Sequence, residues 1–141
     1  MNSCTYACHV HVHVHDPRQP ITAVADTVGM LDYERLDVYR CAIEHLAFVF
    51  RTLPQVPRGF SSLADQWRRA ATSIPLNIAE AVGKTSAADR TNRFAIARGE
   101  AMECGAILDV VRLLEVVPGS DTDAAKRLVV RTVEMLTKLC H

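Results

Sequence analysis

Residues 68–86 read RRAATSIPLNIAEAVGKTS, and they decide how the chain is built. Apolar side chains recur there at helical spacing. Yet Pro75 stands inside the pattern, where it withholds an N–H from the helical ladder and crowds the preceding turn. At about 100° per residue, Leu63, Trp67, Ala70, Ala71, Ile74, Ile78, Ala81 and Val82 all lie within about 60° of Trp67. The stripe keeps its phase across Pro75, which two unrelated helices would not do. The pattern predicts one helix kinked at Pro75, opening at Ser61 or Ser62 as N-cap and stopped by Gly83. The proline frees the Ala71 carbonyl, for which water or the hydroxyls of Thr72 and Ser73 are the candidate partners.

Outward from this segment, three more helical patterns appear. Residues 33–53 place Leu36, Tyr39, Ile43, Leu46, Ala47, Phe50 and Leu53 on one face. Val38, Ala42 and Val49 lie on a flank, and Pro54, Pro57 and Gly59 end the helix. A third helix follows Ser86, with Asp89 in a capping-box-like position, and runs to about Val116. It carries several apolar rows. Phe94, Ala97, Ala101, Cys104, Gly105, Leu108 and Val111 form one; Ala95, Gly99, Met102, Ala106, Val110 and Leu113 form another; Ile96, Ile107 and Leu114 form a third. Pro118 and Gly119 end it. The fourth starts at Ser120 with Asp123 as its capping partner and presents Ala125, Leu128, Val129, Thr132, Val133, Leu136, Leu139 and Cys140. No segment reads as strand. Four helices joined by short turns predict an all-α, up-down-up-down antiparallel bundle over residues 31–141. The surplus apolar rows on the first and third helices predict self-association.

Composition agrees with a single globular domain. The chain has 141 residues, 49% hydrophobic, and equal numbers of acidic and basic residues. Zero formal net charge gives no overall attraction to phosphate, although a local basic patch is compatible with it. The absence of a long apolar run predicts no membrane span, and the absence of a signal-peptide pattern predicts a cytoplasmic protein. Five cysteines without a CxxC pair point to reduced thiols rather than a zinc ribbon.

Residues 1–30 differ from the rest. His9, His11, His13 and His15 alternate with valines and, in an extended chain, would share one face. Imidazole suits zinc, nickel or copper, but a short tract without a partner elsewhere is weak evidence for a site. A flexible His-rich tail without a resident metal is the expectation, and translation from Met30 would also account for it.

Catalytic patterns are not evident. Ser73 has no histidine near it in sequence, and no Glu-x-x-His pair of a di-metal bundle occurs. His45 falls opposite the apolar stripe of its helix and is expected to be exposed. No cofactor is implied. The candidate residues are the cations Arg68, Arg69, Lys84, Arg90, Arg93 and Arg98, with the polar set Ser73, Asn77 and Glu80. They suit either phosphate contacts or ion pairs within and between subunits, since Glu80, Asp89, Glu100 and Glu103 are interspersed.

RRAATSIPLNIAEAVGK resembles the signature of four-helix-bundle proteins encoded in intervening sequences of bacterial large-subunit ribosomal RNA genes, R-R-A-A-x-S-I-P-x-N-I-A-E-G-x-G-R. LDVYRCAIEHL and RFAIARGEAMECGAILDVV add to the likeness, which spans about residues 31–139. Ala81, Lys84 and Glu100 depart from the family's usual glycine, arginine and serine. The resemblance implies a helical bundle assembling as a ring-like homopentamer. Related accessory proteins of diversity-generating retroelements bind nucleic acid and a reverse transcriptase through a basic surface. That implies RNA or DNA as a partner here; the alternative, from the interspersed acidic residues, is a protein-interaction scaffold whose arginines serve subunit contacts, with no nucleic-acid role. The matching I-P also implies that the bend at Pro75 belongs to the architecture and sets Arg68, Arg69, Asn77 and Glu80 for polar contacts.

Overall fold

A computed structural model describes residues 29–141; the expectations for the His-rich tail lie outside the described residues. Four α-helices follow one another: α1 (Asp37–Thr52), α2 (Ser61–Gly83), α3 (Ala87–Leu113) and α4 (Gly119–Leu139). Short 3-10 turns at Asp32–Arg35, Leu53–Gln55 and Arg58–Phe60 precede α1 and bridge α1 to α2. Neighbours in sequence pack together, and α4 closes against α1, so α1 and α3 stand at diagonally opposite corners. Cross-helix bonds fix the direction. Arg98 meets Thr137, Lys126 reaches Gly105 and Asp109, and Arg112 pairs with Asp123. Numbers on α3 rise as those on α4 fall, the mark of an antiparallel pair. Gln66 with Glu103, and Asn77 with Arg93, repeat it for α2 and α3.

α2 runs unbroken through Pro75, which is itself buried. Six of the eight predicted stripe residues, Trp67, Ala70, Ala71, Ile74, Ile78 and Ala81, are within a few per cent of full burial, and Leu63 and Val82 at the two ends are half-buried. Neither candidate hydroxyl serves the Ala71 carbonyl. Thr72 donates to the Arg68 carbonyl at 2.8 Å, and the Ser73 hydroxyl accepts from Asn77 at 3.0 Å. The first row of α3 is buried throughout and is joined by Ile107. The second row is exposed throughout.

α1 departs from the sequence reading. Its core face is Val38, Cys41, Ala42, His45, Val49 and Thr52, the predicted flank and beyond. The predicted stripe is half-buried, with Phe50 exposed. Periodicity locates an apolar face but does not distinguish a face buried within the chain from one directed outward. The helix also starts later than predicted, because Leu36 is extended (ψ 126°) and separates it from the Asp32–Arg35 turn.

Helix ends differ as well. Ser86 caps α3 as predicted, accepting from the Asp89 N–H at 3.4 Å. Phe60 and Pro118 occupy the caps of α2 and α4, without a side-chain cap bond. Asp123 is drawn away by Arg112. α2 ends at Gly83 without left-handed backbone there, because Lys84 continues as extended chain. Glu115 takes the left-handed conformation (φ 50°) just after α3, which stops that helix short of Val116.

Candidate functional site

The predicted polar residues come together in part, along the seam between α2 and α3. Asn77 on α2 donates to the Ser73 carbonyl and hydroxyl at 2.9 and 3.0 Å, and accepts from Arg93 Nη1 on α3 at 3.4 Å. Arg93 Nη2 lies 3.1 Å from Glu80, whose carboxylate also holds Lys84 at 3.2 Å. Ser73, Asn77, Arg93, Glu80 and Lys84 are thus one continuous chain of contacts. Arg90 extends it by donating to the Lys84 carbonyl at 3.2 Å, which gives the last turn of α2 a partner. The helical spacing of Ser73, Asn77, Glu80 and Lys84 places them on one side of α2. The antiparallel register brings Arg90 and Arg93 opposite.

The other predicted cations lie apart. Arg68 pairs with Asp65 within its own helix at 2.9 Å, and Arg98 Nε donates to Thr137 on α4 at 2.8 Å. Arg69 makes no ion pair or side-chain hydrogen bond among the described residues and is exposed. Most of the predicted basic set is therefore neutralised or held inside the chain. Its ion pairs are about a third to three-fifths exposed, so each contributes about 0.2–1 kcal/mol. Their effect is on register between α2 and α3 more than on net stability.

Cations that the sequence reading passed over are exposed on α4. Arg127, Arg131 and Lys138 are exposed and form no ion pair among the described residues. At about 100° per residue they fall within about 40° of one another, with Glu134 among them. The signal was present as an i, i+4, i+11 repeat. The apolar stripe of α4 drew attention to the opposite side of the helix.

Reactive groups in the core are held in their neutral forms. Burial pushes the Cys104 thiol up to about 12 and raises Cys41 as well, which suppresses the nucleophilic thiolate. His45, expected at the surface, is 1% exposed, and neither ring nitrogen has a hydrogen-bond partner. Desolvation lowers its pKa to about 4. The exposed placement followed from assuming that the Leu36–Leu53 stripe was the core. Once the helix is turned, His45 points inward. Among the described residues no three His, Cys, Asp or Glu side chains converge as a metal site, and no helix is long and apolar enough to cross a membrane.

Residues 34–138 match the family described as 23S rRNA-intervening sequence protein. A crystal structure of a protein of unknown function from the S23 ribosomal protein family of Bacteroides thetaiotaomicron has a similar fold. Its TM-score is 0.66 at 22% identity, and the match covers 73% of this chain and 97% of that one. No curated protein matches. With the motif around Pro75, the helix order and the family match over most of its length, the chain belongs to the 23S rRNA-intervening sequence protein family.

Proposed function

We propose that the protein is a non-enzymatic, homo-oligomeric helical-bundle scaffold, pentameric as the family resemblance implies, that works in the cytoplasm by presenting a shared surface. The observation that carries this reading is the exposed apolar row of α3, where Met102 is 56% and Leu113 83% exposed. Patches of this kind mark interaction surfaces. The buried thiols of Cys41 and Cys104 and a histidine enclosed in the core suit a role without catalysis.

The arginines divide between the two roles. Arg90, Arg93 and Lys84 join α2 to α3, which suits a scaffold. A second reading, contact with RNA or DNA, is favoured by the exposed cations Arg127, Arg131 and Lys138 on α4, which form no ion pair among the described residues and would be repeated around a ring. Filter binding at two salt concentrations separates the roles. A nucleic-acid role predicts binding that weakens with salt and is lost when these three residues become alanine. A scaffold role predicts no retention at either salt, and retention that survives the triple substitution would locate the contact elsewhere.

A further inference from the structure

We infer that α1 is a latch on the bundle: in mild acid it leaves as a unit, while α2, α3 and α4 stay packed together. The inference goes beyond the oligomeric reading and does not depend on it.

Polar bonds between helices are distributed unevenly. Gln66 with Glu103, and Asn77 and Glu80 with Arg93, tie α2 to α3. Arg98 with Thr137, Arg112 with Asp123, and Lys126 with Gly105 and Asp109 tie α3 to α4. Among the described residues, no side-chain hydrogen bond or ion pair joins α1 to another helix. Arg40 pairs with Asp37 and donates to the Glu34 carbonyl, and Thr52 donates to the Phe48 carbonyl, all within residues 34–52. Apolar packing offsets this only in part. The core face of α1, the shortest of the four helices, sets Val38, Ala42 and Val49 beside Cys41, His45 and Thr52. α2 sets Trp67, Ile74 and Ile78 there, and α3 sets Phe94, Ile107, Leu108 and Val111. Half-buried Leu46 and Phe48 add contact at the edges of α1. α4 buries a similar set of aliphatic residues but has its polar ties to α3. Less apolar area and no polar tie make α1 the element that opens first. Its connection permits this. Residues 84–86 and 114–118 join the other helices, whereas residues 53–60 lead from α1 to α2 and are mostly exposed.

His45 supplies the trigger. It lies in the middle of the α1 core face, and neither ring nitrogen has a hydrogen-bond partner. The buried faces of α2 and α4 contain no titratable side chain, and that of α3 contains only Cys104. α1 adds Cys41, one turn away, with Arg131 of α4 and Glu44 as its nearby charges. In the turn before α1, Tyr33 and Glu34 lie by Tyr39. None of these groups shifts His45, which responds to burial alone. A proton on the enclosed ring therefore meets no compensating charge. The ring accepts it once α1 has swung out, and the proton then holds the open state.

Hydrogen exchange of the full chain, read by mass spectrometry at pH 7.5 and pH 5 and corrected for the intrinsic effect of pH, tests the latch. Amides of residues 41–49 are expected to be less protected than those of residues 101–108 at both pH values. Protection of 41–49 is expected to fall about thirtyfold from pH 7.5 to pH 5, as a pKa of 6.5 in the open state and about 4 in the closed state requires. In His45→Leu the gap between the two segments should remain and the fall should disappear; His45→Met serves if that variant does not fold. Equal protection of the two segments would show that the bundle opens only as a whole, and would overturn the inference. So would a fall that persists in the variant, or the lack of one in wild type.

Discussion

His45 makes the core sensitive to mild acid. Its ring is 1% exposed and both nitrogens are without partners, so it folds as the neutral imidazole. Unfolding returns it to water and to an ordinary histidine pKa. Its folded pKa is lowered from 6.5 to about 4. The contribution is therefore fully present above pH 6.5 and is lost as pH falls, because the unfolded chain takes up a proton that the folded chain refuses. The loss approaches about 1.4 kcal/mol per pH unit inside that window, amounting to about 2 kcal/mol between pH 7.5 and pH 5. Trp67 is the only tryptophan, is fully buried and meets Phe48 edge-on at 6.1 Å, so its emission reports urea unfolding. Wild type and His45→Leu are compared at equal protein concentration at both pH values. Carboxylates and other histidines are common to the two and drop out of the difference. The variant is expected to lose about 2 kcal/mol less than wild type, and to be no less stable at pH 7.5, since two unpartnered polar atoms leave the core. Equal pH dependence in the two proteins would show that His45 is solvated or partnered, and would refute the reasoning.

Three further outcomes follow from particular residues. Gly99→Leu should leave the folded single chain intact, because the position is open, yet weaken assembly; unchanged oligomer mass would free that face of any role. Glu80→Gln should lower stability by less than about 1 kcal/mol, with the effect shrinking in high salt, because its partners are half-exposed; a larger, salt-insensitive loss in urea unfolding would mark the seam as a stability element. Pro75→Ala should impair assembly or stability if the proline shapes α2 around its neighbours; full retention of both, by native mass spectrometry and thermal melting, would show that it does not.

Much of this architecture was legible because α2 and α3 state it redundantly. The Trp67 stripe holds phase across Pro75, and the first row of α3 is matched residue for residue by burial. α1 was harder because it carries two apolar faces, and amphipathicity alone cannot rank them. The misplacement of His45 followed from that choice. Caps were legible where a serine stood at the boundary and nothing competed, as at Ser86. They failed where Pro118 supplied the turn and Asp123 had Arg112 to pair with. Among the candidate residues, the spacing of Ser73, Asn77, Glu80 and Lys84 announced one side of a helix. Their linkage through Arg93 depended on the register between α2 and α3, which no local pattern encodes. The same holds for Arg98 and Thr137.

Every proposed surface depends on copies of the chain closing around one another, and light scattering across a concentration series measures that closure itself. The expected result is a concentration-independent mass that is a whole multiple of 15.6 kDa, five-fold for the ring that the family resemblance implies. A single 15.6 kDa species persisting at the highest concentration would contradict it.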